Sequence, residues 1–396
     1  MKKRIVRTLH PERPQKFTRQ VSDLRHRKAT KRVKSLRSAP RQQNIAIIGS
    51  TGSVGRQTLD VIRENPKNFR VIALAALSNT EILLEQIKEF RPRLVALYKN
   101  GYSENFQKKL AQIPFHLRPK LFSGKAGLEK IAEHPSVKKI VFSSSGIASL
   151  SSLHCAIKKR KQIALANKEL MVIDGENIMK QAKKNKVQII PVDSEHSAIF
   201  QSIQGEDPKH IEKIILTCSG GPFYGKSKSE LETVTVSEAL KHPTWKMGSK
   251  IAIDCATLMN KGFEMVEAKH FFGLQDSQIE IMIHPQSVVH SLVVFKDGNI
   301  KAHLSVADMR IPIAYALMHP KRTTIKAPHL DLAQLQKLTF LKPDTTILQG
   351  PDITLKALKK GKKSLQKLVQ KNEQAVQKFL AGKIKFLDIF KEIDSQ

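Results

Sequence analysis

Cysteine is scarce in this chain: Cys155, Cys218 and Cys255 are the only three among 396 residues. An odd number at wide spacing gives neither a disulfide framework nor a zinc-binding pattern, and a reducing compartment fits. Long apolar runs are missing too. No stretch of about 18 apolar residues occurs, which excludes a membrane-spanning helix, and the first residues hold no apolar segment of a secretory signal. Tryptophan occurs once, at Trp245. Acids are outnumbered, with 35 Asp and Glu against 68 Lys and Arg, for a net charge of +33. Such an excess invites a nucleic-acid reading, but much of it is local. Residues 1–43 hold 15 Lys or Arg and two acids. The remainder is mostly lysine scattered along helical stretches, which points away from a single nucleic-acid-reading face.

Residues 1–43 have almost no apolar periodicity and read as a disordered basic extension. An organelle transit peptide, a misplaced start and a loose polyanion-attracting arm are the readings open for it. From residue 44 the pattern changes. Short apolar runs at residues 44–48, 70–76, 94–98, 140–144, 162–166 and 187–192 alternate with helical stretches, which argues for an α/β fold with a parallel, doubly wound sheet. After the first run comes Gly49-Ser50-Thr51-Gly52-Ser53-Val54-Gly55 and then a helix over residues 56–64. Glycines between a strand and a helix let backbone approach a pyrophosphate, and the helix N-terminus supplies N–H groups. At the end of the second run an acid would hold a ribose 2′-hydroxyl. Ser78 and Asn79 stand there instead and can donate to a 2′-phosphate, which favours NADP; capping of the next helix is the competing reading.

The stretch Pro191-Val192-Asp193-Ser194-Glu195-His196 organises the rest. In extended backbone, residues two apart point the same way, so Asp193 and Glu195 are expected to aim at one point. Two carboxylates aimed together repel unless a proton or cation joins them, and a hard divalent ion resolves this; strand-end acids capping the next helix are the alternative. Asn167, Lys168 and Glu169 end another strand, where ligands of such sheets gather. A further strand at residues 211–217 leads into Cys218-Ser219-Gly220-Gly221-Pro222-Phe223, a turn able to close on an anion. The segment around His242, Trp245 and Met247 can act as a lid. If residues 259–268 are helical, Asn260, Lys261 and Glu264 share a face. The amide and ammonium then suit a phosphate, and Glu264 suits a metal. Residues 283–290 give a strand signal, residues 319–344 a linker, and residues 349–393 a helical period.

Taken in order, these motifs resemble the 1-deoxy-D-xylulose-5-phosphate reductoisomerase family. The residues that carry the likeness are Gly-Ser-Thr-Gly-Ser-Val-Gly at 49–55, Leu-Ala-Asn-Lys-Glu at 165–169, Pro-Val-Asp-Ser-Glu-His at 191–196 and Ser-Gly-Gly-Pro-Phe at 219–223. His-Pro-Thr-Trp-Lys-Met-Gly at 242–248, Met-Asn-Lys-Gly-Phe-Glu at 259–264, His-Pro-Gln-Ser-Val-Val-His at 284–290 and Asp-Met-Arg-Ile-Pro-Ile at 308–313 continue it. The resemblance covers the chain from about residue 44 onward. It implies a Rossmann-type NADPH domain at 44–192, an α/β catalytic and metal-binding domain at 193–318, a linker at 319–344, a helical C-terminal domain at 345–396, and a homodimer.

The resemblance also implies roles. Asp193, Glu195 and Glu264 would hold Mg²⁺, Mn²⁺ or Co²⁺. Lys168, Ser194, Glu195, Ser219, His242, Cys255, Asn260, Lys261 and Glu264 would meet 1-deoxy-D-xylulose 5-phosphate, with Glu195, Lys168, His242 and Lys261 nearest the chemistry. Gly49, Ser50, Thr51, Gly52, Ser53, Val54, Ser78, Asn79, Asn167, Lys168 and Glu169 would meet NADPH. The implied reaction is a metal-assisted skeletal rearrangement followed by reduction to 2-C-methyl-D-erythritol 4-phosphate, in non-mevalonate isoprenoid biosynthesis. The implied place is the bacterial cytoplasm or else a plastid-type organelle, with no membrane and no specific nucleic acid as partner. The chain departs from the family where Cys255 replaces a phosphate-binding serine, where Leu77 replaces a glycine, and at Ser143-Ser144-Ser145. The pattern around Val369-Gln370-Lys371-Asn372-Glu373 is only partly kept. Another metal-assisted NADP oxidoreductase acting on a phosphorylated sugar, or a basic nucleic-acid-binding protein, is the alternative.

Overall fold

The computed structural model describes residues 42–99, 102–245 and 247–394. The extension expected at residues 1–43 lies outside them but for its last two residues, and Gln43 already pairs in the first strand. The apolar runs form β1 (Gln43–Ile48), β2 (Phe69–Ala76), β3 (Leu94–Leu97), β4 (Lys120–Ser123), β5 (Lys139–Phe142), β6 (Gln162–Leu165) and β7 (Ile189–Pro191). They make one all-parallel sheet in the order β4-β3-β2-β1-β5-β6-β7. Between them run α1 (Ser53–Glu64), α2 (Thr80–Phe90), α3 (Glu104–Ala111), α4 (Gly124–Glu133), α5 (Leu150–Lys158) and α6 (Lys168–Asn185).

Helices α1, α2 and α3 bury Leu59, Ile62, Leu83, Ile87, Phe106 and Leu110 on one face of the sheet. Helices α4, α5 and α6 bury Leu128, Ile131, Leu153, Ile157, Leu170 and Met171 on the other. Burial on both faces explains why the strands are continuous apolar runs rather than alternating ones. The strand order reverses between β1 and β5, which is where such sheets open a ligand crevice.

After β7 come α7 (Ser194–Ser202) and β8 (Ile211–Cys218), and then α8 (Lys228–Leu231), α9 (Val236–Ala239), α10 (Ser249–Ala256) and α11 (Met259–Phe272). Strands β9 (Ile279–Ile283), β10 (Val289–Phe295) and β11 (Ile300–Leu304) join β8 in a second, mixed sheet ordered β11-β10-β8-β9. The strand signal at residues 283–290 resolves into a turn. Residues 284–288 connect β9 to β10, with Ser287 at φ 51°, because Pro285 cannot donate to a ladder.

Helix α12 (Arg310–Met318) returns to the first sheet, burying Ile313, Ala316 and Leu317 against its core. Residues 319–344 carry only the short α13 (Leu332–Leu335) and a bridge from Leu341 to Ile283. Helices α14 (Gly350–Lys360), α15 (Lys362–Leu380) and α16 (Asp388–Asp394) follow. Their apolar stripe, including Leu365, Leu368, Val376 and Phe379, packs against Phe223, Ile253, Met259 and Phe263. The C-terminal helices are thus the back wall of the helices that carry the site. At Gly262 of α11 an added Cβ would lie 2.9 Å from the Gly350 carbonyl oxygen. Only glycine lets α11 and α14 approach so closely.

Candidate active site

Two adjoining cavities open at the carboxyl ends of the strands, sharing Val54, Lys168, Gly248, Ile251 and Asn260 in their walls. The smaller, about 340 Å³, is lined by the glycine loop, the ends of β2 and β5, Asn167, Lys168 and Glu169. The loop is tight: at Gly55 an added Cβ would stand 2.1 Å from the Gly49 carbonyl oxygen. Gly49, Thr51, Gly52, Ser53 and Val54 reach this cavity, with α1 starting at Ser53 and aiming its free N–H groups there.

Three of the residues expected at the nucleotide are absent from the cavity wall. Ser50 is fully buried and donates to Gln86 Oε1 at 2.8 Å. Asn79 accepts from the Ile82 amide at 3.1 Å and caps α2, so its side chain is engaged as the capping alternative anticipates. Ser78 stands exposed beside it. Asn167 accepts from the Leu170 amide at 3.2 Å and donates to the Gly146 carbonyl at 2.8 Å, tying the start of α6 to the β5 loop.

The larger cavity, about 540 Å³, gathers Lys168, Asp193, Ser194, Glu195, Ser219, His242, Cys255, Asn260, Lys261 and Glu264 in one wall. Asp193 and Glu195 do not arrive there by strand alternation. β7 ends at Pro191, Asp193 is the N-cap of α7, and Glu195 lies in its first turn. They converge because a helix start turns both toward the same end. Glu264 comes from α11, and one oxygen from each of the three carboxyls lies within 4.8 Å of the others.

The helical spacing on α11 works as the sequence suggests. Asn260 donates to Glu264, and Lys261 Nζ lies 2.6 Å from Glu264 Oε2. Lys261 also lies 3.0 Å from Glu195 Oε1 and donates to the Thr217 carbonyl at 2.6 Å. Lys168 Nζ stands 2.9 Å from Asp193 Oδ2 and 3.2 Å from Glu264 Oε1. Burial opposes both ammonium charges, yet the surrounding carboxylates hold both lysines above their ordinary range. Burial and the neighbouring Glu195 charge push the Glu264 carboxyl up. A site with so much mutual repulsion and an all-oxygen donor set fits a hard divalent cation.

The lid is ordered around His242. Its Nδ1 accepts from the Thr244 and Trp245 amides at 3.2 and 3.0 Å. The proton therefore sits on Nε2, which donates to Ser219 Oγ at 3.0 Å. Burial pushes the His242 pKa down to about 4, so the ring is neutral near pH 7. Ser219 Oγ also accepts from the Gly221 amide at 3.1 Å, in a turn where Gly220 and Gly221 both have positive φ. Trp245 and Met247 line the cavity rather than the core. Cys255 faces the same space with its Sγ 3.9 Å from Met247 Sδ, and burial holds its thiol far above the usual range.

Charged neighbours to which the sequence reading gave no site role complete the cluster. Glu267 is fully buried, with Oε2 3.4 Å from His196 Nδ1. The His196 ring donates from Nε2 to the Glu264 carbonyl at 3.0 Å. Burial pushes the Glu267 pKa up to about 8, and despite its own burial His196 is drawn up to about 9 by Glu267 and Asp193. The signal for Glu267 is present but faint: with Asn260 and Glu264 it repeats at i, i+4, i+7 along α11. Arg310, paired with Asp308 at 2.6 Å, closes the far rim.

Comparison with known proteins places this arrangement. Residues 45–175 match the family model described as 1-deoxy-D-xylulose 5-phosphate reductoisomerase; residues 189–272 and 304–396 match two models of its C-terminal domains. The chain is 47% identical over 347 residues to the 1-deoxy-D-xylulose 5-phosphate reductoisomerase of Desulforamulus reducens, covering 88% of this chain and 89% of that one. It is 44% identical over 353 residues to the chloroplastic enzyme of Oryza sativa, covering 88% and 74%. A crystal structure of DOX-P reductoisomerase in complex with NADPH, fosmidomycin and magnesium superposes with a TM-score of 0.85 at 40% identity, covering 89% of this chain and 90% of that one. The Zymomonas mobilis enzyme in complex with NADPH gives 0.80 at 35% identity, covering 88% and 90%. A likeness that holds at this identity across both sheets and the C-terminal helices means that the chain belongs to the 1-deoxy-D-xylulose 5-phosphate reductoisomerase family.

Proposed function

We propose that this chain converts 1-deoxy-D-xylulose 5-phosphate to 2-C-methyl-D-erythritol 4-phosphate, using NADPH and a divalent cation. The observation that carries this is the meeting of Asp193, Glu195 and Glu264 in a cavity that adjoins the glycine-loop cavity. A reductoisomerase needs that adjacency, because the carbon that is rearranged must then receive a hydride. Solved relatives that hold NADPH and magnesium support the cofactor assignment.

Asp193, Glu195 and Glu264 would hold the cation, which supplies Lewis acidity toward hydroxyl and carbonyl oxygens of the ketose. Lys168 and Lys261 are full cations already within ion-pair distance of those carboxylates. Were a divalent ion to balance the acids, their ammonium groups would be free to meet substrate oxygens and stabilise developing negative charge. Asn260 and Ser219 donate to the remote phosphate. Neutral His242 fixes the Ser219 hydroxyl and folds the lid back on itself through Thr244 and Trp245. Closure of Trp245 and Met247 over the reacting carbons excludes water. The glycine loop and the start of α1 receive the dinucleotide's phosphates. Cys255 in place of serine is a weaker donor at the phosphate.

The test is loss of NADPH absorbance on mixing protein, 1-deoxy-D-xylulose 5-phosphate, NADPH and Mn²⁺, with a branched tetrol phosphate identified as product. Turnover that stops with chelator supports the reading; oxidation of NADPH without that product contradicts it. We further infer a homodimer, supported by β11, an outer strand with one edge unpaired among the described residues and an exposed Ile300. Among the described residues no helix is long and apolar enough to cross a membrane. With two of the relatives above bacterial and one chloroplastic, a bacterial cytoplasmic enzyme is our assignment and a plastid-type organelle the alternative.

A further inference from the structure

A chain of buried and half-buried polar groups runs from the nucleotide cavity to the C-terminal helices. Glu169 lies in the first turn of α6 and lines the smaller cavity, together with Lys250 and Asp254 of α10. Lys250 Nζ lies 3.2 Å from Glu169 Oε1 and 2.5 Å from Asp254 Oδ2. On its other oxygen, Asp254 accepts from Asn372 Nδ2 of α15 at 2.9 Å. Asp254 and Asn372 are 2% and 0% exposed, so the far end of this chain is closed to solvent. The Lys250 ammonium also stands 5.5 Å from the centre of the Phe263 ring. Two carboxylates and an aromatic face therefore fix one ammonium in position.

Glu169 and Asp254 share Lys250, with Lys168 also acting on Glu169 and Glu373 on Lys250. Asp254 is engaged by Lys250 and by Asn372; Glu169 is engaged by Lys250 and its own amide, and as a carboxylate lining the cavity it keeps acceptor positions beyond these. β6, which delivers Glu169, lies on the far side of the β1–β5 reversal from β2. In a doubly wound sheet that half receives the second nucleoside of a dinucleotide. A fixed, ionised carboxylate there matches the paired hydroxyls of a ribose, two donors facing two acceptor oxygens.

We propose that Lys250 is a positioning residue for the dinucleotide. It holds Glu169 charged and oriented toward the ribose hydroxyls next to the nicotinamide, and Asn372 acts on the same contact through Asp254. This rests on the NADPH reading above. It also gives the partly kept motif at residues 369–373 a task distinct from substrate contact: Asn372 sets dinucleotide affinity from 118 positions beyond the aspartate it holds.

The experiment is a binding titration of NADPH, read by its own fluorescence, on the full chain and on Lys250→Met, Glu169→Gln, Asn372→Ala and the Lys250→Met/Glu169→Gln pair. A contact with a charged group at this site predicts about tenfold weaker binding for Lys250→Met and about threefold for Asn372→Ala. The pair is expected to bind no more than twofold weaker than Glu169→Gln alone, because Lys250 acts through Glu169. Mn²⁺ affinity is expected to stay within twofold in every variant. Lys250→Met binding within twofold of the native chain overturns the proposal, as do losses that multiply in the pair or a parallel loss of Mn²⁺ affinity. Should Lys250→Met fail to fold, Asn372→Ala measured with and without Glu169→Gln decides by the same criterion. A native chain that binds no NADPH sinks the functional reading itself, an outcome distinct from any of these.

Discussion

Glu264 has no exposed surface and is met by Asn260, Lys168 and Lys261 at once. Its neutral amide would keep the shape and lose the charge that two lysines and a cation answer. Glu264→Gln is therefore expected to lower kcat/KM by about 10³-fold or more and to weaken Mn²⁺ binding at least about tenfold. Far-ultraviolet circular dichroism should remain native. Near-native turnover in that variant would remove Glu264 from the cation site. At this scale the sequence was readable where polar residues recur inside apolar surroundings: Asp193, Glu195, Asn260, Lys261 and Glu264 were all visible as candidates. It left the assignment open where one side chain has two possible partners. Asn79 caps a helix, and Ser50 bonds Gln86, because local or buried hydrogen bonds compete with ligand contacts and leave no mark in composition. Glu267 and Lys250 belong to no motif of their own, and only tertiary packing shows Glu267 fully buried and Lys250 held between two carboxylates.

Helix α6 has a kink at Asp174, where φ is −146°. The Asp174 carboxylate meets His154 at 2.9 Å, Asn177 at 3.0 Å and Lys362 at the start of α15. Burial opposes its charge, but the Lys362 and Asn177 contacts hold its carboxyl below the ordinary 3.8. A carboxyl lowered by folding stabilises the fold fully above its unfolded value, and this contribution is lost as pH falls through the folded value. The difference in urea midpoint between the native chain and Asp174→Asn is thus expected to be largest at pH 7 and to shrink by pH 3. A difference that stays constant over that interval would show that the charge contributes nothing. The period of α14 and α15 was legible in Leu355, Leu358, Leu365 and Leu368, but not where those helices dock, since a helical stripe does not name its partner. β4 went unread because it is a four-residue edge strand with no buried residue. The turn at residues 284–288 was taken into a strand because its flanks, Ile283 and Val289, are apolar while its proline is the only breaker.

At the scale of the whole molecule, charge and fold are separable. Residues 1–43 hold 15 of the 68 basic residues, whereas every residue of the two cavities lies beyond them. Deleting residues 1–41 is expected to leave kcat/KM within about twofold and to shorten retention on heparin. Retention that survives the deletion with a steep salt dependence would revive the nucleic-acid reading. The edge of β11, unpaired among the described residues, makes a second prediction: multi-angle light scattering should give about twice the 44.6 kDa chain mass, and a monomer would contradict the proposed dimer. Doubly wound topology was legible from the repeated strand–helix alternation. The second sheet was not, because α8 to α11 separate β8 from β9 and its order, β11-β10-β8-β9, departs from chain order.

The central claim is that three carboxylates from two distant segments share one divalent ion beside the dinucleotide. Crystals grown with Mn²⁺ and NADPH test it most directly, through the anomalous difference map at the manganese edge. The account predicts one strong peak bounded by oxygens of Asp193, Glu195 and Glu264. A peak elsewhere, or none between those three carboxylates at saturating Mn²⁺, would contradict it.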